Sequence, residues 1–256
     1  MKIRYVHGFF HWKKLCRNWY VVVLMRLGLM KRDVVLKFRN GLKLKVYNRG
    51  KDSDTAIVGN IFFHHPYTQN GYELHDGDVV VDIGANIGIF ALYAHVYLKK
   101  GKIFCYEPAP DNFSYLTYNI EANNLQQCIR AHCSAVAGER GTKKLFLHSR
   151  GSGGHSFFPY LVETRMHQSI DVHAVTLADI FKENNLDHID FLKLDCEGAE
   201  YEILFNTPPE YFKKISRIAL EHHSVQGQSP RQLEKFLHSQ GYEVKRTDEI
   251  IQARRV

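Results

Sequence analysis

The 256-residue chain is poor in cysteine and spends it without pattern. Cys16, Cys105, Cys128, Cys133 and Cys196 include no C-x-x-C pair, and an odd number of thiols is poor material for a disulfide framework. Long apolar runs are also missing. Tyr20-Val-Val-Val-Leu-Met25, bracketed by Arg17 and Arg26, falls far short of the roughly 20 residues that a membrane span needs. No small-residue cleavage site follows a clean apolar stretch near Met1, so a secretory leader is not expected, and the thiols point to a reducing, cytoplasmic setting. There are no repeats and no low-complexity tracts; the longest Gly/Ser-rich piece, Ser149 to Ser156, reads as a mobile loop. What the first fifty residues lack is acid. Asp33 stands alone there against 13 Lys and Arg, so this segment carries +12 and the remainder −5 of the net +7. The basic pI therefore describes an N-terminal arm and says little about the rest.

The length suits one α/β domain, here residues 51–256, preceded by a basic extension over residues 1–50. Within the extension, residues 8–30 mix Phe9, Phe10, Trp12, Leu15, Trp19, Val22, Val23 and Leu27 with basic residues, the pattern of one amphipathic helix. Such a helix packs on its own domain or, given its Lys, Arg and Trp, lies on a membrane surface. Val34 to Arg39 and Leu42 to Val46 alternate around Asn40-Gly41, a type I′ hairpin signal. Beyond residue 51 strands and helices alternate. Strands are expected near 79–83, 103–106, 129–135, 190–195, 216–221, 242–246 and 249–254, with helices near 87–98, 110–123, 176–184, 198–205 and 229–239. That alternation implies a mostly parallel sheet with helices on both faces.

The most informative segment is Val79-Val-Val-Asp-Ile-Gly-Ala-Asn-Ile-Gly88. Three valines suit a strand buried on both faces, and the glycine-bearing turn then falls at the carboxyl end of that strand, where open α/β sheets bind ligands. A dinucleotide fingerprint would place glycine at Asn86, which it does not. Asp82 at a strand end suits a cationic or hydroxyl-bearing group better than a pyrophosphate. A second strand, Lys102 to Tyr106, delivers Glu107, placed to accept bonds from ribose hydroxyls. Two acids at successive strand ends argue for a nucleoside carrying positive charge.

The chain resembles the class I S-adenosylmethionine-dependent methyltransferases, and among them the FkbM-type family. Asp82-Ile-Gly-Ala-Asn-Ile-Gly88 is similar to the family's first cofactor motif, and Tyr106-Glu-Pro-Ala-Pro-Asp-Asn112 to its second. Val175 to Phe181 followed by Ile189-Asp-Phe-Leu-Lys-Leu-Asp-Cys-Glu-Gly-Ala-Glu-Tyr-Glu-Ile-Leu204 resembles the segment that sets the family apart. The resemblance spans roughly residues 55 to 225 as motifs, and Cys196 stands where the family more often has an aliphatic residue. It implies a Rossmann-like seven-stranded sheet with one antiparallel strand, the cofactor S-adenosylmethionine, and methyl transfer to a hydroxyl of a saccharide or natural product. Asp82 and Asn86 would orient the cofactor's amino acid part, Gly84 and Gly88 would let it lie against backbone, and Glu107 would hold the ribose, with Pro108 and Asn112 of the second motif beside it. Ser134 or Ala135 would lie near the adenine.

Asp195, Glu197 and Glu221 should converge on the rim where the methyl group is presented, since Asp195 and Glu221 end strands and Glu197 opens the turn that follows. A carboxylate or the imidazole of His222 would take the hydroxyl proton. Glu197 and Glu200 also read as helix N-terminal acids, and of the His222–His223 pair one ring would face inward and one outward. Asp195, Glu221 and one histidine could hold a divalent metal, although no ligand spacing requires it. A lipid-linked or nucleic-acid acceptor is the rival reading, drawn from the +12 arm, as is a nucleoside-binding module without chemistry. Against nucleic acid, the fourth-strand segment lacks the Asn/Asp-Pro-Pro-aromatic sequence of base N-methyltransferases.

Overall fold

The computed structural model describes residues 2–30, 32–47, 54–148, 153–162, 168–247 and 249–256, with side chains from residue 8 onward. Its centre is a seven-stranded sheet built from β3 (Val79–Ile83), β4 (Lys102–Tyr106), β5 (Ile129–His132), β9 (Ile189–Leu194), β10 (Ile215–Glu221), β11 (Tyr242–Arg246) and β12 (Ile250–Arg255). The order across the sheet is β11-β12-β10-β9-β3-β4-β5. β12 runs antiparallel to both its neighbours and every other pairing is parallel, as the sequence implied.

Alternation along the central strands builds two apolar layers. Val80, Phe191 and Ala219 face one side, where α4 (Ile89–Tyr97) and α5 (Pro110–Glu121) pack. Val81, Leu192 and Ile218 face the other, against α6 (Leu177–Glu183), α7 (Glu200–Phe205), α8 (Pro209–Phe212) and α9 (Pro230–Ser239). Successive side chains of a strand point to opposite faces, so runs apolar at every position suit strands covered twice. Capping boxes start α6 (Thr176 with Asp179) and α9 (Ser229 with Gln232).

The N-terminal arm departs from expectation in two places. Residues 8–30 form two helices, α1 (Lys2–Leu15) and α2 (Tyr20–Arg26), because the chain between them pairs with the hairpin of β1 (Val34–Lys37) and β2 (Lys43–Val46). Cys16 bridges Phe38, Arg17 N–H donates to the Lys37 carbonyl, and the Asn18 side chain spans Val35 O and Lys37 N. The hairpin turn is not type I′, which needs positive φ at both central residues. Only Gly41 has it (φ +98°), and a Phe38–Gly41 turn closed by Gly41 N–H to Phe38 O, with Phe38 N–H donating to Leu42 O, makes a three-residue loop with a glycine bulge. The arm packs on the domain: Trp12, Leu36, Leu44 and Val46 share a core with Leu116 and Ile120, and Asn119 bonds both Lys45 N and Lys45 O. The expected boundary at residue 50 lies outside the described residues.

Two further features stand where no element was expected. A short α3 (Thr55–Gly59) runs into a π-helical turn, Asn60–His64. The strand expected over 129–135 ends at His132, beside the last residues of β4. The chain then leaves the main sheet to form β6 (Ala135–Val136), β7 (Gly141–Phe146) and β8 (Ser169–Val175), a second sheet ordered β6-β8-β7. Of the Ser149–Ser156 loop, residues 149–152 lie outside the described residues, and Ser156 bridges back to Phe146.

Candidate active site

A cavity of about 460 Å³ opens at the carboxyl ends of β3, β4, β9 and β10, a size that accommodates a small-molecule cofactor. Its floor is the β3–α4 turn. Gly84 adopts φ +76°, and a Cβ there would sit 1.8 Å from the Asp195 carbonyl oxygen, so no other residue fits. Gly84 N–H and Ala85 N–H both donate to Tyr106 O, tying the turn to the end of β4. Asn86, also left-handed at φ 51°, gives its N–H to Glu107 Oε2 at 2.8 Å. Glu107 Oε1 accepts from Ala109 N at 2.9 Å and from the Asn112 amide at 3.4 Å. Burial pushes the Glu107 carboxyl up to about 7 even though these donors pull it down. A carboxylate offers about four acceptor directions, so this one retains capacity for ligand hydroxyls.

Asp82 lies beneath this floor and does not line the cavity. Its Oδ1 meets the Lys193 ammonium at 2.9 Å with both groups sealed from solvent, and Lys193 also reaches Gly84 O (3.1 Å) and Asp195 Oδ2 (3.6 Å). Burial alone would push Lys193 down; Asp82, Asp195 and Glu221 outweigh it and hold the ammonium above its ordinary value.

The rim is a set of acids bound together by one phenol. Tyr67 O–H lies 3.0 Å from both Asp195 Oδ2 and Glu221 Oε2. One hydroxyl proton cannot serve both acceptors at once, so the phenol is shared between the two carboxyls. Burial, then the neighbouring Asp195 charge, push Glu221 up to about 7, while burial raises the Tyr67 phenol and keeps it protonated. Glu197, left-handed at φ 53°, accepts from Gly154 N–H at 3.0 Å and pairs with His223 Nε2 at 3.3 Å. His223 Nδ1 meets fully buried Glu200 at 3.0 Å, and Glu200 also accepts from Cys196 N and Gly198 N. Burial works against the His223 cation, but Glu200, Glu197 and Asp195 carry it up to about 10.

The structure thus gathers Gly84, Asn86, Glu107, Pro108, Asn112, Ala135, Asp195, Glu197 and Glu221 around one cavity. Asp82, Gly88, Ser134 and His222 do not line it. Gly88 has a steric role, since a Cβ there would meet Leu116 at 2.8 Å, and Ala135 rather than Ser134 faces the cavity. The imidazole brought to the acids is that of His223; His222 Nε2 is buried with no partner among the described residues, and burial lowers its pKa. Lys193, Tyr67, Ile57 and Asn60 also line the cavity and had not been singled out. Lys193 alone carried a signal, as a charge inside the apolar run Phe191-Leu-Lys-Leu194. Asp195, Glu197 and His223 offer ligand atoms all within 4.8 Å of one another and could hold a divalent cation, a set that replaces Glu221 of the expected one by Glu197.

An open sheet with one inserted antiparallel strand, carrying a glycine turn and a buried acid at its central strand ends, is the arrangement that the resemblance to class I methyltransferases implied. The sequence profile of the methyltransferase FkbM domain matches residues 82–244, and the chain belongs to that family. It is 27% identical over 230 residues to methyltransferase sdnD of Sordaria araneosa, covering 80% of this chain and 88% of that one. It is 28% identical over 227 residues to 31-O-demethyl-FK506 methyltransferase FkbM of Streptomyces tacrolimicus (76% and 84% covered), and 25% identical over 171 residues to hexuronic acid methyltransferase AglP of Haloferax volcanii (64% and 63%). A crystal structure of methyltransferase FkbM from Methylobacillus flagellatus superposes with a TM-score of 0.48 at 14% identity, covering 78% of this chain and 53% of that one.

Proposed function

We propose that this methyltransferase uses S-adenosylmethionine to methylate a hydroxyl of a saccharide or natural-product acceptor. The observation that carries the reading is the Asp195–Tyr67–Glu221 cluster opening into the same cavity as Glu107 and Asn86. The names of two relatives, one a 31-O-demethyl-FK506 methyltransferase and one a hexuronic acid methyltransferase, support the acceptor class.

The residues fit such a cofactor. Glu107 has acceptor capacity for ribose hydroxyls, Ala135, Val136, Leu145 and Phe157 offer an apolar wall for a purine, and Asp195 brings negative charge toward a sulfonium. Bound there, the cofactor supplies an activated methyl group, so the protein's task is placement and removal of one proton. The Asp195–Glu221 pair would take the acceptor hydroxyl's proton, while the methyl group would leave the sulfonium sulfur for the acceptor oxygen and S-adenosylhomocysteine would depart. Tyr67 holds the two carboxyls in register, and His223 with Glu197 fixes the adjoining turn. Asp195→Asn and Glu221→Gln should leave S-adenosylhomocysteine affinity nearly unchanged while lowering turnover about 100-fold or more, measured on a panel of glycosides and hydroxylated macrolides. Tighter binding of NAD than of S-adenosylmethionine would refute the cofactor assignment, and unchanged turnover in both variants would refute the roles of the acids.

A further inference from the structure

The N-terminal helices bury one apolar face and expose another. Trp12, Cys16, Val21, Val22 and Met25 satisfy the contact with the domain core. Outside remain Phe9, Phe10, Tyr20, Leu27 and Leu29, with Phe10 57%, Leu27 65% and Leu29 72% exposed. The aromatic members touch one another: Phe9 packs on Phe10 at 5.8 Å and on Trp19 at 4.6 Å, and Trp19 lies 6.2 Å from Tyr20. Phe9, Phe10, Trp19 and Tyr20 thus form one contiguous aromatic cluster, with Leu27 and Leu29 exposed just beyond the end of α2.

Its border is cationic. Lys13 and Lys14 stand one helical turn beyond Phe9 and Phe10, and Arg17 and Arg32 are exposed nearby in sequence. Among the described residues none of these four is paired with a carboxylate. Asp33, the only acid of the arm, is engaged by the Tyr115 hydroxyl. Surplus aromatic and leucine side chains rimmed by unopposed Lys and Arg are the makeup of a segment lying in the headgroup region of a bilayer.

We infer that the outer face of α1 from residue 8, with that of α2, residues 27–30 and Arg32, docks the protein onto an anionic phospholipid surface. Charge complementarity selects the lipid: a zwitterionic bilayer leaves the basic rim unopposed, and a soluble polyanion leaves the patch in water. Docking there brings the membrane close to the cavity, since His11 and Trp12 pack on Phe63 of the π-helical turn whose Asn60 and Ile61 line it. The inference does not depend on the identity of the acceptor or cofactor.

The test is flotation of the full-length protein with vesicles of phosphatidylcholine alone and of phosphatidylcholine with phosphatidylglycerol. Binding is expected only with the anionic vesicles, and should weaken with salt. Joint replacement Lys13→Gln, Lys14→Gln, Arg17→Gln and Arg32→Gln should reduce partitioning about 100-fold or more, and Phe10→Ser with Leu29→Ser should reduce it at least about tenfold. Circular dichroism melting and analytical ultracentrifugation accompany each variant, so that misfolding or loss of a self-associated state is seen directly. Absence of flotation with anionic vesicles at low salt overturns the proposal. So does retention on RNA with an unchanged Phe10→Ser, Leu29→Ser variant, or a dimer that the same substitutions dissociate without any vesicle binding.

Discussion

Lys193 and Asp82, 111 residues apart in sequence, form a 2.9 Å ion pair across the neighbouring strands β9 and β3, at 3% and 0% side-chain exposure. The pair sits directly under the Gly84 turn, so the floor of the cavity rests on a desolvated charge contact. Removing one partner strands the other. Lys193→Met should cost about 3–5 kcal/mol in urea denaturation, the usual consequence of an uncompensated buried charge. Adding Asp82→Asn to Lys193→Met should recover part of that loss; additive losses would show that the two side chains do not depend on each other.

Glu107 gives opposite pH slopes to stability and to cofactor binding. Burial raises its folded pKa to about 7 from 4.5, so between those values the folded protein holds a proton that the unfolded chain has released. This group's contribution, about 3 kcal/mol, is therefore complete below pH 4.5 and is lost as pH rises through 7. Ribose hydroxyls are best accepted by the ionised form, so affinity for S-adenosylhomocysteine should fall about tenfold from pH 8 to pH 6. Calorimetric titration of the parent and of Glu107→Gln checks this; the variant should bind weakly and with a flat profile.

Tyr67→Phe keeps the ring against Phe90 and removes the hydroxyl shared by Asp195 and Glu221. Since that hydroxyl pulls the Glu221 pKa down, the acid limb of the rate profile should move to higher pH. Turnover near neutral pH should fall about 10- to 100-fold, the scale of a lost hydrogen bond to a charged group, with S-adenosylhomocysteine affinity preserved. An unshifted profile would make Tyr67 a packing residue only.

A protein beginning at residue 51 should not retain full stability. It would lose Trp12, Val22, Met25, Leu36, Leu44 and Val46 from a core shared with α5, and burying one such side chain is worth about 1.5–3 kcal/mol. A fall of more than about 5 kcal/mol, or insolubility, is expected by urea denaturation. An equally stable truncated protein would show that the shared core is energetically unimportant.

Much of this site could be read before folding because its chemistry depends on strand ends. Val79-Val-Val-Asp and the residues of β4 are apolar enough to place their strands, and the carboxyl end of a parallel strand is a defined location, so Glu107, Asp195 and Glu221 could each be expected at a strand end, with the resemblance supplying the roles. His223 was harder. Strand parity orients side chains only while the strand lasts, and β10 ends at Glu221, so the choice between His222 and His223 passed to a turn whose course depends on buried Glu200. Tyr67 comes from a segment that no period describes. The second sheet was missed because β7 is largely exposed and reads Gly-Thr-Lys-Lys-Leu-Phe, although the alternation of Ile170, Val172 and Ala174 in β8 was visible. The arm's break at Cys16–Asn18 arises from pairing with a distant hairpin, which helical periodicity cannot register.

The cavity has two walls of different origin. Gly84, Asn86, Glu107 and Asp195 belong to the ends of central strands, where a change in one residue disturbs the whole sheet, as the 1.8 Å clearance at Gly84 illustrates. Ala135, Val136, Leu145, Gly153, Gly154 and Phe157 belong to a side excursion between β5 and β9, tied back by bonds such as Ser156 to Glu197 and Lys143 to Glu202. The ribose end of the proposed cofactor would thereby be gripped by the ends of the main strands, whereas its purine end would rest on side chains that can change without moving a central strand. Substitutions in that wall would tune how tightly a base is held while leaving the acids at the strand ends in place.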